Sequence, residues 1–292
     1  MATARILYAV TFDATEAAVS WQVAELAKAC HAPVVLLGAR RRRRWKLRSG
    51  NGEDVGRKLA AIATRLKGYV ADIRVTEDPL PEAAMRTAGE LGAELIVVSA
   101  GARAMQQPTH VSDDGLAIAR NAHQDVWICK PFADPYIGHV LCAADTTLTA
   151  GAAVTRSVKI SRRFNALLRI LSVMPEPLWK SAADADDPEE QMREQHEAQK
   201  AFLDQFDMQG VPLSRAIVWA RDAAVEVLDE AERYAEGLLV IGASSRAPLP
   251  QGQLGPTSES ILTACPSSLL IVKKRMPASV DKKKERIAET AP

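Results

Sequence analysis

Much of the chemistry that announces an enzyme, a metal protein or a membrane protein is missing from this sequence. Its 292 residues include four cysteines, Cys30, Cys129, Cys142 and Cys265, with no C-x-x-C spacing and no metal-ligand pattern with histidine. Each falls in an apolar helix or strand context and is read as a small buried hydrophobe, which favours a reducing compartment. The five histidines, His31, His110, His123, His139 and His196, form neither H-x-x-x-H nor H-E-x-x-H. No G-x-S-x-G and no G-x-x-x-x-G-K-[ST] appears. No apolar run approaches the ~18 residues of a membrane helix. The start, Met-Ala-Thr-Ala-Arg, enters a strand with no signal-peptide pattern, so a cytoplasmic location is expected. A formal net charge of +1 gives no whole-protein field for nucleic acid or membrane. Aromatics make up 5%. Trp21 and Trp127 are read as packing, and Trp179 and Trp219 as core rim or as walls of a cleft.

What is present is ordinary globular composition, 47% hydrophobic and 25% charged, at a length that suits two domains. Short apolar runs read as strands buried on both faces: Arg5–Val10, Pro33–Leu37, Val70–Val75, Leu95–Val98 and Val126–Ile128. Helical spacing fills the gaps, over Thr15–Cys30, Glu53–Leu66, Pro81–Leu91 and Asp113–Ala122. The order then restarts with strands Val140–Ala144, Leu167–Val173, Ser214–Trp219, Leu238–Ile241 and Leu269–Val272. Helices are predicted over Ala152–Phe164, from an Asp187 cap and Pro188 to a stop at Gly210, from an Asp222 cap, and over Thr257–Ala264. Leu95-Ile96-Val97-Val98-Ser99 and Leu238-Leu239-Val240-Ile241-Gly242 hold matching places, each followed four residues on by an arginine, Arg103 and Arg246. The fold class is therefore α/β, two tandem doubly wound five-stranded parallel-sheet domains. The expected division is 1–134, 135–276 and a disordered charged tail, 277–292, that carries Lys282–Lys284.

The second half resembles the universal stress protein family. Val140-Leu141-Cys142-Ala143-Ala144-Asp145 matches its first-strand pattern, with Asp145 on the family's aspartate. Gly242 and Gly255 match two glycines of the loop G-x-x-G-x9-G-[S/T], whereas Ser245 and Pro256 stand where the family has glycine and Ser or Thr. The resemblance implies a Rossmann-like domain of the adenine nucleotide alpha hydrolase type. It also implies an ATP or ADP site, with Mg, built from Asp145, Val173, Gly242, Ser244, Ser245, Arg246, Gly255, Thr257 and Ser258. Such a loop lets backbone approach phosphate and ends at a helix N-terminus. Pro256 gives up one N–H donor there, for which the hydroxyls of Ser244, Ser245, Thr257 and Ser258 offer replacements, and an inward Glu259 would repel phosphate. In the first half Thr11 takes the aspartate position, with Asp13 out of register, and Ser99 and Ala102 replace loop glycines, so no ATP site is expected. That half is expected to pack on the second as an internal pseudo-dimer through Val126–Ile128 and Leu269–Val272.

No dedicated catalytic base is evident: Asp222 reads as a helix cap and Asp145 as a ribose or metal-water contact, leaving slow nucleotide hydrolysis as the upper bound. His110 is read as a solvent-exposed loop residue. Two functions stay open, a stress-linked nucleotide-binding protein and an ATP-independent scaffold or sensor. The second draws on Arg40–Arg48, where seven of nine residues are cationic around Trp45. That run suits an acidic protein, an acidic lipid or nucleic-acid phosphate, or is simply a solvated loop. A homodimer of the tandem also stays open.

Overall fold

The computed structural model describes residues 5–40, 51–132, 135–145, 148–175, 188–233, 237–243 and 253–273. The first half runs β1 (Ile6–Val10), α1 (Glu16–Cys30), β2 (Val34–Ala39), α2 (Asn51–Arg65), β3 (Val70–Thr76), α3 (Leu80–Leu91), β4 (Leu95–Ser99), α4 (Asp113–Asn121) and β5 (Asp125–Cys129). The second repeats it as β6 (His139–Ala143), α5 (Leu148–Phe164), β7 (Leu167–Pro175), α6 (Pro188–Leu203), β8 (Leu213–Ala220), α7 (Ala223–Arg233), β9 (Leu238–Gly242), α8 (Pro256–Ala264) and β10 (Ser268–Val272). The strands join into one ten-stranded sheet in the order β3-β2-β1-β4-β5-β10-β9-β6-β7-β8.

Strand alternation explains the layers. In β1, Ile6, Tyr8 and Val10 face one side, where they meet Val19, Val23 and Leu26 of α1 and Leu59 and Ile62 of α2. Leu7 and Ala9 face the other, beneath Ala83, Ala84 and Ala88 of α3. Both apolar layers run on into the second half, one through Ala153, Val154 and Val158 of α5, the other through Val227 of α7 and Ile261 of α8. With both faces covered, the strands read as unbroken apolar runs.

The halves meet where the sequence predicted, and the meeting is antiparallel: Leu269 opposite Ile128, Leu270 opposite Trp127, Ile271 opposite Val126. Side chains close the seam reciprocally. The Lys130 N–H donates to Ser268 Oγ at 3.0 Å, and the Lys273 N–H to Asp125 Oδ1 at 2.9 Å. On one face Arg156 of α5 reaches Asp125 at 2.7 Å and Glu94 at 3.1 Å. On the other, Arg120 Nε of α4 donates to Glu259 of α8 at 2.8 Å. The residues after the two central strands, Lys130 and Lys273, are buried to the ammonium. Lys130 Nζ donates to the Pro108 and His110 carbonyls at 2.6 and 2.9 Å, and Lys273 Nζ to the Ala119 carbonyl at 2.7 Å.

Three expectations need correction. Trp21 is 60% exposed on α1, because the core-facing positions of that helix are Val19, Val23 and Leu26 and Trp21 falls between them. The helix begun at Pro188 ends at Leu203 rather than near Gly210, which instead takes φ 73° in the turn before β8. His110 is half-buried, and burial, followed by the cations of Arg103 and Lys130, holds its pKa below the usual imidazole value. Asp222 does cap α7, accepting from the Ala224 N–H at 2.8 Å. Asp187, Trp45, Trp179 and the tail lie outside the described residues.

Two tests follow from the seam. Asp125→Ala leaves Arg156 and the Lys273 N–H without their buried acceptor, and urea unfolding is expected to show a loss of about 3 kcal/mol. Burial holds both lysines to a pKa of about 8. Below pH 8 each is charged in both the folded and unfolded chain, and the burial cost is fully present. Between pH 8 and ~10.4 the unfolded chain keeps a proton that the folded one has lost, so folding gains with rising pH. The stability of the wild type minus that of Lys130→Met should therefore rise across that window, by roughly 3 kcal/mol.

Candidate functional site

In a sheet of this order the chain leaves β6 toward β7 and returns on the other side at β9, which opens a crevice at the strands' carboxyl ends. A cleft of about 550 Å³ lies there. Asp145, just past β6, and Gly242, at the end of the neighbouring β9, both line it. Val173 and Met174 of β7 and Val227 of α7 give an apolar side. Gly255, Pro256, Thr257 and Ser258 at the start of α8 form the floor. Of the residues singled out from sequence, Asp145, Val173, Gly242, Gly255, Thr257 and Ser258 thus share one cavity. Ser244, Ser245 and Arg246 lie outside the described residues. Trp219 is half-buried and does not line the cleft.

Among the described residues no side chain caps the start of α8. Gly255 is its N-cap and brings no side-chain acceptor, and Pro256 occupies the first turn. The first helical N–H groups of any helix lack partners within it and gather positive potential. Here the Glu259 N–H returns to the Gly255 carbonyl at 2.9 Å. Two side chains behave differently from the sequence expectation. The Ser258 hydroxyl donates to the Gly242 carbonyl at 2.8 Å, so it ties the loop to the strand and has no proton left to offer a ligand. Glu259 turns away to Arg120, which removes the anticipated repulsion. One cleft residue went unnoticed in the sequence: Arg221, exposed at the rim after β8. Its only signal was its place at a strand end, beside the more conspicuous helix cap Asp222.

The first half has a matching crevice, built to a different end. Strand registers align the halves: Ile6 pairs Leu95 as Val140 pairs Leu238, which puts Thr11 at the place of Asp145 and Ser99 at that of Gly242. The Ser112 N–H donates to the Ala100 carbonyl as the Gly255 N–H does to that of Ala243, so Ser112 answers to Gly255. These differences change the start of α4 rather than the size of the crevice. Ser112 Oγ caps α4 by accepting from the Gly115 N–H at 3.2 Å, and Asp113 and Asp114 fill the first turn. Asp13 is held by Thr11 Oγ1 and the Thr15 N–H, each at 2.8 Å, and Thr15 Oγ1 lies 2.9 Å from Ser99 Oγ. Phe12, at φ 54°, lays its ring against Gly38 so tightly that a Cβ there would stand 2.7 Å away. The remaining cleft, about 1020 Å³, is lined by Asp13, Asp54, Glu77, Asp78 and Asp114 against Arg40 and Lys58. Arg40 pairs with Glu77 at 3.2 Å, while the rest of the run, Arg41–Arg48, lies outside the described residues. Among the described residues no helix is long and apolar enough to cross a membrane, and no group of three or more His, Cys, Asp or Glu side chains could hold a metal ion.

Residues 137–273 match the model of the universal stress protein family. No curated protein matches the chain. Among solved structures, a protein of Pseudomonas aeruginosa UCBPP-PA14 assigned to the universal stress proteins is 20% identical and covers 98% of each chain at a TM-score of 0.71. A functionally unknown protein of Pseudomonas aeruginosa PAO1 is 19% identical, over 99% of this chain and 98% of its own, at 0.69. A universal stress protein of Archaeoglobus fulgidus is 14% identical, over 92% and 98%, at 0.67. The second half thus matches the universal stress protein family, and the structural likenesses show that the same fold extends across both halves.

Proposed function

We propose that this is a stress-response regulatory protein whose second-half cleft binds one adenine nucleotide. The observation that carries the proposal is the contrast between two aligned helix starts. That of α4 is capped by the Ser112 hydroxyl and followed by two aspartates, and that of α8, which no described side chain caps, lies in a cleft beside Gly242. An uncapped helix start with free N–H groups favours an anion, and aspartates at the same place oppose one.

In this reading the phosphates rest on the N–H groups of Thr257 and Ser258 and on the Thr257 hydroxyl, because Pro256 has no proton to give. Asp145 accepts from the ribose hydroxyls, and the base lies against Val173 and Met174. Magnesium, when present, neutralises the phosphates. The protein's part is to bind and orient, and the reading assigns no side chain to proton transfer, so any hydrolysis is slow. A bound nucleotide then changes what the surface offers a partner.

The test is nucleotide released by heat from protein purified without added ATP, together with thermal unfolding in Mg-ATP. About one nucleotide per chain is expected, and ligand-dependent stabilisation follows the ratio of concentration to Kd. Asp145→Ala should weaken binding at least tenfold. Thr257→Asp, which copies Asp114 of the first half, should do the same by placing an anion at the start of α8. A wild type with no retained nucleotide and no stabilisation would overturn the proposal and leave the ATP-independent scaffold.

A further inference from the structure

Asp145 stands just beyond the paired residues of β6, and the backbone that delivers it is held from within the apolar layer beneath α5 and α6. Two polar side chains are buried in that layer, Ser172 and Gln199, 2% and 4% exposed. Ser172 shares a strand face with Leu168 and Ile170, and Gln199 shares a helix face with Phe202 and Leu203. Gln199 Nε2 donates to Ser172 Oγ at 2.8 Å, and the Ser172 hydroxyl donates to the Ala144 carbonyl at 2.7 Å. The Ala144 N–H meets the Leu171 carbonyl at 3.0 Å. The Ala144 carbonyl and the Asp145 N–H belong to one rigid peptide plane, so a bond to that oxygen also sets the direction in which Asp145 leaves the sheet. The first half differs at the same spot. Ala9 pairs Leu37 as Ala143 pairs Leu171, so Gly38 answers to Ser172. There the Phe12 ring and Leu59 fill the space, and a Cβ on Gly38 would stand 2.7 and 3.1 Å from them. The half with Thr11 in the place of Asp145 thus has an apolar contact where the half with Asp145 has a hydrogen-bond chain.

We infer that Ser172 and Gln199 are positioning residues that ready Asp145 for the ribose hydroxyls, an inference that rests on the nucleotide reading above. Neither side chain touches the ligand. A buried amide and hydroxyl carry a desolvation cost that an apolar pair of the same size avoids, so their contribution is geometry rather than stability. The Ser172 hydroxyl has one proton, and Gln199 fixes where it points by donating to the same oxygen. With the Ala144 carbonyl held, the Asp145 carboxylate has fewer orientations to give up when it accepts from ribose. The phosphate end of the ligand has a separate anchor, since Ser258 ties the start of α8 to the Gly242 carbonyl at 2.8 Å. Loss of the Gln199–Ser172 chain therefore weakens ligands that have ribose hydroxyls and spares those that lack them. The chain sets selectivity for the sugar and leaves the grip on phosphate alone.

Calorimetric titration of the full chain with Mg-ATP and with Mg-2′,3′-dideoxy-ATP tests this. The wild type is expected to favour ATP about tenfold, the scale of one hydrogen bond to a charged group. Asp145→Ala should abolish that preference. Ser172→Ala and Gln199→Leu should each reduce it to about threefold or less, with the Kd for dideoxy-ATP within about twofold of wild type. A general loosening of this half would weaken both ligands alike and leave their ratio unchanged. Variants at Ser172 and Gln199 that keep the wild-type ratio, beside an Asp145→Ala that loses it, overturn this inference and leave nucleotide binding standing. A wild type that binds both ligands equally removes the ribose contact and the inference with it. A wild type that binds neither overturns the underlying proposal as well.

Discussion

Everything in this structure depends on three backbone-paired residues on either side of a seam, Val126–Ile128 against Leu269–Ile271. A five-stranded parallel sheet leaves its last strand with an apolar row of unmet N–H and C=O groups. Each half meets that need in the other. The helices then pack in two layers that cross the seam without a break, and Asp125, Ser268, Lys130 and Lys273 satisfy one another's backbone at its margins. Two nearly buried ammonium groups are tolerable there only because helix and loop carbonyls receive their protons. The seam is also why the halves are not independent units. Arg156 belongs to α5 and is held by acids of β4–β5, and α4 of one half abuts α8 of the other.

The antiparallel junction sends the two strand sets in opposite directions, so the two crevices open at opposite ends of the sheet. One helix touches both regions. α4 starts with Asp114 in the wall of the first crevice and ends with Arg120 on Glu259, the residue next to the floor of the second. The element that puts acid at one site thereby draws a carboxylate away from the other. Acidifying the first crevice and clearing the second are the work of two ends of the same nine-residue helix.

The fold was legible because strands buried on both faces leave unbroken apolar runs and because the chain says everything twice. Register between halves was legible too: Leu95–Ser99 and Leu238–Gly242 align by eye and align again in the sheet. What escaped depends on direction rather than identity. Glu259 reads as a threat to phosphate until its rotation toward Arg120 is seen. Ser258 reads as a donor to ligand until its proton is found on the Gly242 carbonyl. Trp21 reads as core because tryptophan is large and apolar, but a shift of two positions along a helix turns it about 200°, off the buried stripe. Arg221 carried no pattern of its own, and only the closing of the crevice gave it a role at the rim.

Two identical subunits joined across a two-fold axis must carry every substitution in duplicate. A chain that holds both halves is released from that rule. Ser99 can stand where its counterpart is Gly242, and Ser112 where its counterpart is Gly255, with no compromise between them. The result is a particle whose two crevices present different helix starts, one acidic at α4 and one without acid beside Gly242. A ligand held at α8 as proposed would meet no like site within one such particle, so its occupancy would follow concentration alone, as a simple hyperbola.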